Sequence, residues 1–97
     1  MKTLTMCGSM RFESEMRSIA YSLEVKEGYS ILQCVYAPQG VDISDEELVY
    51  LEKAHYRKID ISDGIYVVNI GGYIGESVKA EIRYAQEKGK VIIYHCN

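Results

Sequence analysis

The run Ile65-Tyr66-Val67-Val68 constrains the fold of this chain more than any other feature. It is short, apolar and rich in β-branched residues, with no polar residue alternating along it, so it reads as a strand buried on both faces. Such a strand needs helices on either side of a parallel sheet, and parallel neighbours need crossover connections. The next residues meet that demand: the turn Asn69-Ile70-Gly71-Gly72-Tyr73-Ile74-Gly75-Glu76-Ser77 opens a helical run from Val78 to Lys88. In that run Val78, Glu81, Ile82 and Ala85 share one face. Glu81 is thus set among residues that must face the sheet, where a carboxylate costs free energy unless it has a partner or a task.

The rest of the chain repeats the same alternation. Leu4 to Cys7 predicts a first strand ending in Gly8-Ser9, and from Phe12 onward Met16, Ile19, Ala20 and Leu23 recur at helical spacing until Gly28. Tyr29 to Tyr36 predicts a second strand, closed by Pro38-Gln39-Gly40. Ser44 with Glu47 has the form of a capping box opening a helix that runs to about Ile59. Ser62-Asp63-Gly64 turns the chain into the third strand, Gly89 ends the third helix, and Val91 to Tyr94 is the last strand. Four strands alternating with three helices imply a single α/β domain over residues 1–97, a Rossmann-like, flavodoxin-type three-layer fold with a four-stranded parallel sheet flanked by helices. Ligands of such sheets sit outside the carboxyl ends of the strands. Three turns converge there: Cys7 to Arg11, Tyr36 to Gly40, and Asn69 to Ser77.

Composition narrows the partners. Eleven basic against 14 acidic residues give a net charge of −3, which argues against a binder of nucleic acid polymers that works by bulk electrostatics. The three cysteines, Cys7, Cys34 and Cys96, show neither CxxC nor Cys/His spacing, so sequence spacing indicates no disulfide framework and no metal site. A reducing cytoplasm suits them. The start of the chain lacks the apolar stretch of a signal peptide, and no run approaches the ~18 apolar residues of a membrane span. A chain of 97 residues buries a modest fraction of its surface, so self-association into a homodimer or higher homo-oligomer is expected, with Tyr50 and Tyr56 of the second helix as surface for it.

Two motifs carry a resemblance. Cys7-Gly8-Ser9-Met10-Arg11 after the first strand, together with Glu81-Ile82, Tyr84-Ala85 and the Gly89-Lys90 pair ahead of the last strand, resembles the nucleoside 2-deoxyribosyltransferase-like superfamily. The first motif is closest to its 2′-deoxynucleoside 5′-phosphate N-hydrolase branch, and the turn Gly71-Gly72-Tyr73-Ile74-Gly75-Glu76-Ser77 is similar to that of small uncharacterised bacterial relatives. The resemblance covers nearly the whole chain in element order. It implies an N-glycosidase or deoxyribosyltransferase that needs no cofactor and acts on a nucleoside or nucleoside 5′-monophosphate. It also implies that Glu81 attacks C1′ of the sugar and displaces the base, leaving a glycosyl-enzyme for water or another base to resolve.

Residue chemistry is compatible with those roles. A carboxylate near a helix start is favoured as the anion by the helix dipole and is a competent nucleophile where water is excluded. The plainer reading of Glu81 is a half-buried helix residue paired with a basic side chain such as Lys79 or Arg83 of a neighbouring subunit. Eight positions before Asp63, where the catalysing relatives usually carry an aspartate, this chain has His55. Histidine does acid work near neutral pH. Its presence is compatible with an acid toward the leaving base, with a site that binds without cutting, or with a residue that only packs. Ser9 and Arg11 are the candidate phosphate ligands, as hydroxyl and guanidinium at a helix start, or else an N-cap and a surface residue. Cys7, Gly8, Asn69, Gly71, Gly72, Tyr73, Gly75, Glu76 and Ser77 complete the candidate substrate-binding set, with Tyr73 as a stacking or lid residue. Cys7 reads as a small apolar residue rather than a nucleophile, since no histidine is adjacent in sequence to activate it. Tyr36 and Pro38 are expected on the opposite wall. Asp63, Lys58 and Asp60 are expected at the far end of the sheet. Relatives continue past the last strand to reach a neighbour's pocket; here either His95-Cys96-Asn97 supplies that contact or the pocket is more open.

Overall fold

The computed structural model describes residues 1–96. Strands β1 (Thr3–Gly8), β2 (Ser30–Leu32), β3 (Gly64–Val68) and β4 (Val91–Tyr94) form one parallel sheet in the order β2-β1-β3-β4. Helices α1 (Glu13–Val25), α2 (Asp45–Ile61) and α3 (Glu76–Glu87) make the crossovers. Because successive strand residues point to opposite faces, the core splits into two layers. Leu4, Met6, Tyr66 and Val68 pack with Met16, Ala20 and Leu23 of α1. Cys7, Ile65 and Val67 pack on the other side with Ile59 of α2 and with Val78, Ile82 and Ala85 of α3. This is the three-layer α/β domain the alternation predicts.

The differences from expectation have local causes. The run Tyr29–Tyr36 pairs only through Ser30–Leu32, against Thr3–Thr5 of β1. It is an edge strand, and beyond Leu32 other partners take its place: the Gln33 carbonyl accepts from Lys58 Nζ at 2.8 Å, and the Cys34 thiol donates to the Met6 carbonyl at 3.4 Å. The chain therefore leaves the sheet early. Residues Met10–Phe12 form a 3-10 turn ahead of α1, and α2 continues to Ile61. Gly64 belongs to β3 rather than to the turn before it. A Cβ there would collide with the Val91 carbonyl and come within 2.8 Å of the Val91 Cβ, so only glycine lets β3 and β4 approach this closely.

Polar contacts latch the amino ends of the strands. The Asp63 carboxylate accepts from the Thr3 N–H at 2.8 Å, Thr5 Oγ1 lies 2.6 Å from Ser62 Oγ, and Lys90 Nζ donates to the carbonyls of Asp60 and Ser62. Asp60 also accepts from the Tyr84 hydroxyl. Ser44 and Glu47 make both halves of the capping box at the start of α2. Among the described residues no helix is long and apolar enough to cross a membrane.

Candidate functional site

At the carboxyl ends of β1 and β3 the side chains of three separate elements meet. Cys7 ends the buried part of β1 and is fully enclosed. His55 lies one turn before Ile59, whose burial shows which stripe of α2 faces the sheet. Glu81 stands on the α3 face that also carries Val78, Ile82 and Ala85. His55 Nε2 is 3.1 Å from Glu81 Oε1 and 3.5 Å from Cys7 Sγ. The side chains of His55 and Glu81 are each 14% exposed, so the pair is sheltered but reachable. The sheet-facing acid therefore has a partner within the chain, and it is His55.

A cavity of about 340 Å³ opens above this cluster, within the size range of small-ligand sites. Its floor includes Glu81, His55 and Ser77, and one rim is the loop Gly8-Ser9-Met10. The opposite wall is apolar: Val35 and Ala37 leave the sheet edge, and Ile43, Leu48 and Leu51 come from α2 and the segment before it. Tyr36 is not on that wall. Its ring turns to the α1 side of the sheet, with the Arg17 guanidinium 4.4 Å from its centroid. Lys58, expected at the far end, lines the cavity instead, because its long side chain reaches up to the Gln33 carbonyl.

Of the remaining candidates, Gly8 and Ser9 line the cavity and the others sit around it. Ser9 caps the 3-10 turn through a 3.3 Å hydrogen bond from the Arg11 N–H and lines the rim. The Arg11 guanidinium lies 3.7 Å from the centroid of the Tyr73 ring, and Tyr73 in turn meets Phe12 edge-on at 6.1 Å. Those two side chains thus stack on each other outside the lining. Gly71 and Gly72 take positive φ, 65° and 80°, which is what lets the turn after β3 close so tightly. Gly75 is the N-cap of α3, and Glu76 is exposed and paired with Lys79 at 3.2 Å. Asn69 is buried and ties down the end of the chain: its amide donates to the Cys96 carbonyl at 3.0 Å and accepts from the Cys96 N–H at 2.7 Å. His95 Nδ1 lies 2.8 Å from the Tyr66 hydroxyl. Asn97, the last residue of the expected intersubunit contact, lies outside the described residues.

The electrostatics of the cluster decide what the thiol can do. Burial, then the nearby Glu81 carboxylate, push the Cys7 thiol well above its ordinary value, so it stays protonated and non-nucleophilic. The histidine that activation would require is near in space, but the same Nε2 faces both sulfur and carboxylate. A relay from carboxylate through imidazole to thiol needs the two ring nitrogens to divide those partners. Cys34, on the cavity wall, is pushed up to about 11 by burial and by Glu81. The members of the cluster that line the cavity are therefore the Glu81 carboxylate and the His55 imidazole bonded to it. Residue spacing gave no sign that one sulfur, one imidazole nitrogen and one carboxylate oxygen, from Cys7, His55 and Glu81, lie within 4.8 Å of one another. No motif links these positions, since each comes from a different element.

Compared with known proteins, the chain matches no family model, no curated protein and no solved structure.

Proposed function

We propose that this protein binds a nucleoside or nucleoside 5′-monophosphate in the cavity and cleaves or exchanges its N-glycosidic bond. The observation that carries the reading is Glu81: a carboxylate 14% exposed, held at the floor of a largely apolar cavity by His55 at 3.1 Å. The substrate class comes from the resemblance of the Cys7-Gly8-Ser9-Met10-Arg11 and Glu81-Ile82 motifs, and the cavity is of a size to take it. In this scheme one carboxylate oxygen of Glu81 attacks C1′. The C1′–N bond breaks, its electron pair leaves with the base, and the base takes a proton from solvent. Water or a second base then attacks C1′, gives up a proton to solvent and releases the carboxylate.

His55 engages one carboxylate oxygen and leaves the other for C1′. Its contact with Glu81 suits a positioning residue better than an acid toward the base. The apolar wall of Ile43, Leu48 and Leu51 excludes water from the ester. A 5′-phosphate is taken by Ser9 on the rim, and Arg11 joins it on leaving Tyr73. A second copy of the chain covering the cavity mouth completes the proposal, since Leu48, Val49 and Tyr50 beside it are exposed, Tyr50 by 73%. Tyr56, the other tyrosine expected on that surface, is instead half-buried edge-on against Tyr84 at 4.8 Å.

The alternative, a non-catalytic nucleotide-binding sensor or regulatory module on the same fold, has one observation in its favour: Glu81 is already engaged by His55. One experiment separates the two. The protein is incubated with ribo- and deoxyribonucleosides and their monophosphates, free base is followed by chromatography, and binding by calorimetry. The enzyme reading expects base release that falls at least about 1,000-fold in Glu81→Gln while binding persists, as for loss of a group acting only in the transition state. Binding without base release in the parent would make it a sensor. Full turnover in Glu81→Gln would remove the nucleophile.

A further inference from the structure

We infer that Cys7, His55 and Glu81 form a binding site for a single divalent transition metal of the zinc class, with an open coordination position facing the cavity. This goes beyond the glycosidic reading and does not depend on it. Hydrogen bonding uses only part of this convergence: the one hydrogen that Nε2 can carry serves the carboxylate at 3.1 Å, and the thiol, 3.5 Å from the same nitrogen, turns its own hydrogen to the Thr5 carbonyl at 3.8 Å. A sulfur, an imidazole nitrogen and a carboxylate oxygen within 4.8 Å of one another are what a metal ion requires.

The distances agree with that use. With metal bonds of about 2.3 Å to sulfur and about 2.0 Å to nitrogen and oxygen, a tetrahedral centre puts sulfur about 3.5 Å from nitrogen and nitrogen about 3.3 Å from oxygen. The observed separations are 3.5 and 3.1 Å. The sulfur-to-carboxylate pair lies within 4.8 Å, and rotation of the Glu81 side chain closes it. A thiolate and an imidazole select zinc, cobalt or copper over calcium and magnesium, which take oxygen ligands. On binding, the Cys7 S–H bond breaks, the sulfur–metal bond forms and the proton goes to solvent, so one thiol proton is released per ion bound. Among the described residues three converge as ligands, so water or a substrate heteroatom takes the fourth place. A bound ion occupies the carboxylate that the glycosidic scheme needs free, so zinc inhibits base release if that scheme holds.

The test uses the reduced, chelator-treated full chain and cobalt(II) alone as probe. The expected result is a thiolate-to-cobalt charge-transfer band with the visible bands of a tetrahedral centre, saturating at one equivalent and abolished by zinc. Cys7→Ser removes the charge-transfer band, Cys34→Ser and Cys96→Ser keep it, and His55→Gln and Glu81→Gln each weaken zinc binding at least tenfold in competition with a chromogenic chelator. If circular dichroism shows that Cys7→Ser does not fold, the other two ligand variants carry the test. No charge-transfer band in the folded parent, a band that survives Cys7→Ser, loss of the band in Cys34→Ser or Cys96→Ser, or unchanged zinc affinity in both His55→Gln and Glu81→Gln overturns the site. Because the readout is metal binding, a chain that releases no base still passes or fails here, and a chain that binds no metal can still be a glycosidase.

Discussion

Ile59 is the residue whose truncation should most disturb the site without touching it. It is fully buried and is the one buried residue of the 17 in α2, so the attachment of that helix to the sheet is concentrated in a single side chain. It packs with Cys7, Ile65, Val67, Val78 and Ile82, the layer beneath the cavity. Removing a fully buried isoleucine to alanine costs about 2 to 5 kcal/mol, and a site this enclosed belongs in the middle of that range, at about 3 to 4 kcal/mol. A domain of 97 residues has about 5 to 15 kcal/mol in total, so between about a fifth and four fifths of its stability rests here. In urea, with a slope of about 1.2 kcal/mol per molar, the midpoint of Ile59→Ala should fall by about 2.5 to 3.3 M and that of Ile59→Val by about 0.8 M. Leu48→Ala, on a side chain 46% exposed, should move it by less than about 0.4 M. Because His55 is one turn away, α2 should also open at lower cost than β1 and β3 in hydrogen exchange of the alanine variant. A shift under about 0.5 M for Ile59→Ala at unchanged slope would refute the claim that one side chain anchors the helix.

Other positions carry expectations of their own. Gly64→Ala should destabilise by at least about 2 kcal/mol in the same urea assay, because the added Cβ meets the Val91 backbone; a variant as stable as the parent would mean that β3 and β4 separate freely. Asn69→Ala should cost about 1 to 2 kcal/mol and speed exchange of the Cys96 amide, since both hydrogen bonds to Cys96 come from that side chain; unchanged exchange there would leave Asn69 without its structural role. Stability should fall as pH rises from about 9 to about 11, because the Cys34 thiol loses its proton first in the unfolded chain and holds it longer in the folded one. Tyr36, pushed from about 10 up to about 12 chiefly by burial, adds a further fall between about pH 10 and 12, and thermal melts of Cys34→Ala should show a flatter slope between pH 9 and 11 than the parent. An identical slope in the two proteins would remove Cys34 from the account.

Local periodicity determined most of the architecture. The all-apolar run before the glycine turn required a doubly covered parallel strand, and the chain supplies one, with the two faces of β3 packed against different helix layers. The capping box at Ser44, the C′ glycine at Gly89 with φ of 69°, and the inward face of α3 that carries Glu81 were all readable from neighbouring residues, because caps and helix faces are short-range physics. The extent of β2 was not. Its residues are as strand-like as those of β3, but an edge strand is only as long as its single partner allows, and pairing stops where Lys58 and Cys34 take over the contacts. That early exit also decides which side chains face the cavity, placing Val35 and Ala37 there and sending Tyr36 to the other layer.

The least legible feature is the cluster itself. Cys7 and His55 are 48 positions apart, and His55 and Glu81 are 26 apart. Nothing in the composition of either segment points to the other. Their meeting depends on β1 and β3 being adjacent and on α2 and α3 covering the same face, a consequence of strand order rather than of any local preference. The same holds for Arg11 and Tyr73, which come from different loops and stack only because both loops leave adjacent strands at the same end of the sheet. Residue types determined what chemistry the chain carries, and the tertiary arrangement alone decided that a thiol, an imidazole and a carboxylate lie within 4.8 Å of one another beside a cavity that the latter two line.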